Sequence, residues 1–247
     1  DDKISLSVDG ITSILANRYL VPEDLSPSKR YYWSGVSLAT IAKRIIQQVM
    51  QKPSGSLPIT FDDDETADHE RTYNAFNVSN LSATALIEAI SNVENGPDID
   101  FRPYMLNDRY IAWHMHCGTE HYPYIGQDSM HDWEQGSPSV ESVTAKLSAE
   151  YVSHRVYAVG DGQDETTRLV KVDGQIAQYW PFVETVISDS SWDSDDLALQ
   201  HAQANLSPLS VLQITANVRA NGVNPLGQFW PGDLANLTTH GHPAIAD

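Results

Sequence analysis

A single cysteine, Cys117, occurs in the 247 residues, so no intramolecular disulfide is possible. On an alternating apolar stretch such a residue reads as a small buried hydrophobe rather than a redox centre. Long apolar runs are missing too. Nothing approaches the ~20 residues needed to span a bilayer as a helix, and the opening lacks a signal-peptide pattern, so a soluble chain is expected. Basic residues are scarce, at 15 Lys and Arg against 33 Asp and Glu, for a formal net charge of −18. That balance argues against nonspecific DNA coating and against docking on an anionic membrane.

Familiar catalytic signatures are absent as well. There is no Gly-x-Ser-x-Gly elbow and no His-Glu-x-x-His. The acids Asp62, Asp63, Asp64 and Glu65, with Asp68 and Glu70, lack the alternating spacing and central glycine of a calcium loop and read as a solvated loop. Gly160-Asp-Gly is too short for a dinucleotide loop, and the acids after it would repel phosphate. Glycosylation sequons begin at Asn77, Asn80, Asn205 and Asn236, as chance provides in a chain rich in Asn, Ser and Thr.

What is present is a sequence of patterned segments. Leu38, Ile41, Ala42, Ile45, Ile46, Val49 and Met50 form one stripe opposite Lys43, Arg44, Gln47, Gln48 and Gln51, which predicts a helix capped by Ser37 and stopped by Lys52-Pro53. Leu86, Ile87, Ile90 and Val93 predict a second helix over 82–93, with Gly96 as its left-handed terminator before Pro97. A hairpin follows. Ile111, Trp113, Met115 and Cys117 alternate with Tyr110, Ala112, His114 and His116, and the first set is expected to face a core. Short strands are expected over 3–8, 57–61 and 71–76. Residues 1–125 thus read as an α+β domain, helices packed on a small antiparallel sheet.

Between 126 and 139 the pattern dissolves into Gly, Gln, Asp, Ser and Pro, and this stretch reads as a connection. Residues 140–247 are mostly strands: 140–148, 155–159, 167–172, 211–219 and a short one near 234–237, with a turn at Asn221-Gly222. One helix is expected over 194–206, with Asp195 and Asp196 in its first turn, where the helix dipole favours them. Of the six tryptophans, Trp113 and Trp180 read as core, whereas Trp133, Trp192 and Trp230 border turns and could meet a partner or a glycan.

Several phrases in this order resemble the baseplate-hub or minor tail proteins of long-tailed phages and prophages. They are Val8-Asp-Gly through Leu20-Val-Pro, read as a strand leading into a Gly…Leu-x-x-Arg…Pro segment; the helix and hairpin over 82–118; Ser153-His-Arg-Val-Tyr-Ala-Val-Gly-Asp-Gly; Trp180-Pro-Phe-Val-Glu, read as preceding a short helix; and Phe229-Trp-Pro-Gly-Asp-Leu. The resemblance implies that the C-terminal half, 140–247, is barrel-like and incomplete. It implies a structural, non-enzymatic protein of the tail tip, resident in the virion and made in the bacterial cytoplasm. Its partners would be other tail-tip proteins: the tail tube or distal tail protein, and the fibre or spike. The full-length parent would form a homotrimeric ring, with no membrane and no specific nucleic acid involved. A fragment lacking a first barrel and a closing strand is expected to be mostly monomeric.

The one cluster resembling a metal site is His114, His116 and His121 with Glu120 and Cys117. Alternate histidines bring two imidazoles to one face, and zinc would accept them with a third ligand from the turn. An exposed hairpin face is the more ordinary explanation, so neither a catalytic metal nor any cofactor is expected. The rival reading hinged on these histidines is a metal-dependent hydrolase or peptidase acting on cell-wall material. Exposed tryptophans would instead suit a secreted carbohydrate-binding module.

Overall fold

The computed structural model describes residues 10–26, 28–75, 81–175, 182–207, 211–219, 222 and 224–240. The strand expected over 3–8, Phe76, Trp180, the Asn77 and Asn80 sequons and Asn221 lie outside them. The chain divides into two compact units at 125/126.

In the first unit the described elements are α1 (Ile11–Leu15), β1 (Arg30–Val36), α2 (Leu38–Met50), β2 (Ile59–Phe61), β3 (His69–Asn74), α3 (Ala83–Ser91), β4 (Ile99–Leu106) and β5 (Tyr110–Cys117). The core is built on the helical stripe: Ile41, Ile45, Ile46 and Val49 of α2 are enclosed with Leu86, Ile87 and Ile90 of α3, Leu15, Leu20 and Met115. Ser37 starts α2, its hydroxyl accepting from the Thr40 N–H at 3.2 Å, and Ser82 does the same for α3 through the Ala85 N–H. The left-handed residue after α3 is Asn95, at φ 56°, not Gly96. Gly96 is required for space instead: a Cβ there would lie 2.7 Å from the Ile90 carbonyl oxygen.

The sheets are not purely antiparallel. β1 and β3 pair antiparallel, while β2 joins the antiparallel β4–β5 hairpin as a parallel neighbour of β5. The Ile11–Leu15 segment, read as following a strand, is a short helix, and one further difference comes from tertiary pairing overriding local pattern. β1, which local alternation does not announce, forms because Tyr31, Trp33 and Tyr73 gather their rings across the β1–β3 pair, with centroids 6.1–6.2 Å apart.

The second unit holds β6 (His131–Glu134), β7 (Val140–Ser148), β8 (Arg155–Val159), a 3-10 turn (Asp164–Thr166), β9 (Leu169–Asp173), β10 (Glu184–Ser188), α4 (Asp195–Ala204), β11 (Val211–Val218) and β12 (Ala235–Thr238). Ser194 caps α4 through the Leu197 N–H at 3.2 Å, with Asp195 and Asp196 in the first turn. A small core gathers Val156 and Ala158 of β8, Ala198 and Ala202 of α4, and Trp192.

No barrel closes among the described residues. The strands form one three-stranded sheet, β10–β8–β9, and two separate pairs, β11–β7 and β12–β6. The stretch over 126–139, read as a connection, contains β6, which pairs in parallel with β12. Phe182-Val183-Glu184 leads into β10, a strand parallel to β8, before the chain reaches α4. These pairings join residues far apart in sequence, which is why local periodicity did not show them.

Candidate functional site

The histidine hairpin sits in the first unit on the sheet formed by β2, β5 and β4. Parallel register places Thr60 of β2 beside His114, and antiparallel register places Arg102 of β4 beside His114 and Asp100 beside His116. Asp62 follows the last residue of β2 and so reaches the same face. Ligand atoms of Asp62, His114 and His116 all lie within 4.8 Å of one another. Nε2 of His114 is 3.3 Å from Oδ1 of Asp62, and its Nδ1 is 3.0 Å from the Thr60 hydroxyl.

His121 does not join them. It is exposed on the turn after β5, while Glu120 is engaged by His69, with its carboxylate oxygens 2.9 and 3.0 Å from the His69 Nε2. Cys117 points away from the histidine face and packs against the core. Burial, reinforced by the nearby Asp62 charge, pushes its thiol up to about 12, so it stays protonated at neutral pH. On that side of β5 a cavity of about 250 Å³ is lined by Thr40, Lys43, Asp62, Glu65, Met115 and Cys117 among others.

Charges around the site are largely committed. The Lys43 ammonium forms an ion pair with Asp64 and donates to the Asp62 carbonyl oxygen at 2.7 Å, and Arg44 pairs with Asp64 at 2.7 Å. Together these cations hold the Asp64 carboxyl below the usual carboxylate range. Asp100 accepts from Arg102 at 3.2 Å and from the Phe101 N–H at 2.8 Å. Burial, then the Arg102 charge, lowers the His116 pKa, which favours its neutral imidazole. Asp62 was read in the sequence only as loop. The signal that could have found it is the shared alternation Thr60-x-Asp62 and His114-x-His116, legible once the two strands are known to be parallel neighbours.

The expected two-faced hairpin holds only towards its Cys117 end. Met115 is buried, and Trp113 and Cys117 pack against the core, but Ile111 is 55% exposed and Ala112, on the opposite face, is buried. Tyr104, Met105, Leu106, Tyr110 and Ile111 form an exposed apolar hairpin end.

The second unit also exposes apolar strand surface. β7 and β11 make a long two-stranded ribbon in which Ala145 pairs with Ile214 and Val143 with Ala216. With Leu147 these side chains line one face, whereas Lys146 opposite Gln213 and Thr144 opposite Thr215 line the other. On the apolar face Leu147 is 68% exposed and Ile214 42%. Of the tryptophans expected at the surface, Trp192 is instead buried and stacked on His201, with ring centroids 4.7 Å apart. Trp133 is half-buried, edge-on to Phe229 at 5.3 Å, and Trp230 remains exposed.

No known family pattern matches the chain, and no curated protein sequence matches it. Solved structures similar to it include the tail protein from Neisseria meningitidis MC58, at 9% identity and a TM-score of 0.45. A prophage tail protein from Listeria monocytogenes EGD-e is similar at 8% identity and a TM-score of 0.47, and a prophage MuSo2 tail protein from Shewanella oneidensis at 9% and 0.48. The similarity covers 92–93% of this chain and 60–62% of those chains, so this chain spans less than two thirds of their length. Among the described residues no helix is long and apolar enough to cross a membrane.

Proposed function

We propose that this chain is a structural, non-catalytic component of a phage or prophage tail tip, part of a baseplate-hub ring that joins the tail tube to a fibre or spike. The observation that carries the reading is the β7–β11 ribbon. An apolar face left open on a two-stranded pair is unstable as a free surface and useful as a subunit contact. The order of sequence phrases from the Gly10 segment to Phe229-Trp-Pro-Gly-Asp-Leu supports the same assignment. In the virion the ribbon would be covered by another tail-tip subunit, a second copy in a trimeric ring or the neighbouring tube or spike protein. The acidic composition suits such a position, because a conduit for DNA must not bind it.

Immunogold labelling of particles released by the source bacterium tests this. Antibody against the chain should mark the end of the tail distal to the head. Label confined to the bacterial envelope or the culture medium, with unlabelled particles, would overturn the assignment.

A further inference from the structure

We propose that Asp62, His114 and His116 form a binding site for a divalent transition-metal ion of the zinc class, which would fasten the acidic loop after β2 to the histidine face of β5. The proposal is independent of the tail-tip reading, since it concerns three side chains of the first unit and no partner.

The hydrogen bonds around His114 indicate which nitrogen faces outward as a ligand. The Thr60 hydroxyl is 3.4 Å from the Trp113 carbonyl oxygen, to which it donates, so its oxygen is left to accept from the His114 Nδ1–H at 3.0 Å. A metal-ligating imidazole is held in the same way, with its other nitrogen donating to a fixed acceptor. Nε2 of His114 then directs its lone pair towards the Asp62 carboxylate, 3.3 Å away. Two acceptors facing one another at that distance repel unless something positive lies between them. A proton on Nε2 is one solution. A metal ion is the other, and it alone also uses His116, whose imidazole stands two residues along the same strand face.

The donor set is that of a zinc-class ion, two imidazoles and one carboxylate with a position left for water. Ligand atoms around a tetrahedral zinc lie about 3.3 Å apart, given bonds of about 2.0–2.1 Å. The three here fall within 4.8 Å, and the Asp62 oxygen and His114 Nε2 already stand 3.3 Å apart, so the adjustment left to an ion falls on His116. The charges facing the site are Asp62, Asp100 and Arg102. Arg102 opposes a cation, but the Asp100 carboxylate to which it is bonded offsets it. The ion would tie a parallel strand pair of three residues to the hairpin and need not perform chemistry.

Zinc titration of the untagged full chain by calorimetry, in a non-coordinating buffer at pH 7.5, tests the site. One zinc per chain is expected, with cobalt(II) giving the visible absorption of a low-coordinate site in place of zinc. Asp62→Asn and His116→Ala should each abolish or severely weaken binding, and Thr60→Val should weaken it about 10–100-fold by removing the acceptor that holds His114. His69→Gln should leave it unchanged. Circular dichroism and the zinc-free melting temperature show that each variant is folded. Absence of binding by the wild-type chain, or binding that persists in the His114→Ala/His116→Ala double variant, would overturn the proposal and leave the His114–Asp62 contact as an ordinary polar contact.

Discussion

The two units place their apolar residues differently. In the first, Leu15, Ile41, Ile45, Ile46 and Ile90 are enclosed between α2, α3 and the sheets, and the strands lie over a helical core. In the second, α4 covers a much smaller interior of Val156, Ala158, Ala198, Ala202 and Trp192, while Leu147, Leu169, Val186 and Ile214 on its strands stand exposed. The second unit also contains the fully buried His154, whose Nδ1 accepts from the Val183 N–H at 3.1 Å and whose Nε2 finds no partner. An unsatisfied buried polar atom of this kind costs about 1–3 kcal/mol. The first unit thus has the larger interior, and both leave apolar strand surface open, at the β4–β5 hairpin end in the first and on the β7–β11 ribbon in the second.

The largest expected effect strikes the smaller core. Trp192→Ala should cost about 3–5 kcal/mol, the range for deleting a buried large aromatic, while the enclosed Ile45→Ala costs about 2–5 kcal/mol in the other unit. Amide hydrogen exchange separates the two. Trp192→Ala should accelerate exchange in β8 and α4 and leave α2 and α3 protected, and Ile45→Ala should do the reverse. If either substitution released both units together, the chain would unfold as one cooperative body and the comparison would fail.

Helix caps sharpen the same contrast at a smaller scale. Ser37→Ala removes the hydroxyl that accepts from the Thr40 N–H and also contacts the Thr40 hydroxyl at 3.2 Å, and should lower stability by about 0.5–2 kcal/mol. Urea midpoints of the wild type and variant, followed by helical circular dichroism, measure it.

Acid should also weaken the first unit through His116. Its folded pKa lies below the unfolded value of about 6.5, so its contribution is fully present above that value and is lost as pH falls through the folded pKa. The drop in urea midpoint between pH 7.5 and 5.5 should therefore be shallower in His116→Gln than in the wild type. An identical or steeper slope in the variant would show that burial of this imidazole does not govern the acid response.

The smallest effect is expected where a large hydrophobe is lost from the ribbon. Leu147→Ser should change the stability of the isolated chain by less than about 0.5 kcal/mol, as exposed substitutions do. A much larger loss in thermal or urea denaturation would mean that the ribbon is already packed within the chain.

How much was legible in the sequence divides along the same physical line. Elements set by local periodicity and capping were readable: α2 with Ser37, α4 with its first-turn aspartates, and β7 and β11 with their alternation. Elements that exist through distant pairing were not, including β6 within 126–139, β10 alongside β8, and the exposure of Ile111 where the hairpin leaves the core. At the histidine site the alternation of His114 and His116 was visible, and His121 was added by nearness in sequence. The true third neighbour, Asp62, directly follows a strand more than fifty residues earlier and is brought there through the Thr60–His114 register. Trp192 misled for a related reason, since flanking turn residues do not reveal that α4 brings His201 onto its ring.

A photo-crosslinking residue placed at Leu147, in cells that produce the particles, tests whether the β7–β11 face is the tail-tip subunit contact proposed above. A crosslink is expected from Leu147 to a tail-tip subunit, this chain's own copy or a neighbour, and none from the same residue placed at the exposed Glu88 of α3. Crosslinks from Glu88 but not from Leu147, or purified particles that lack the chain altogether, would contradict it.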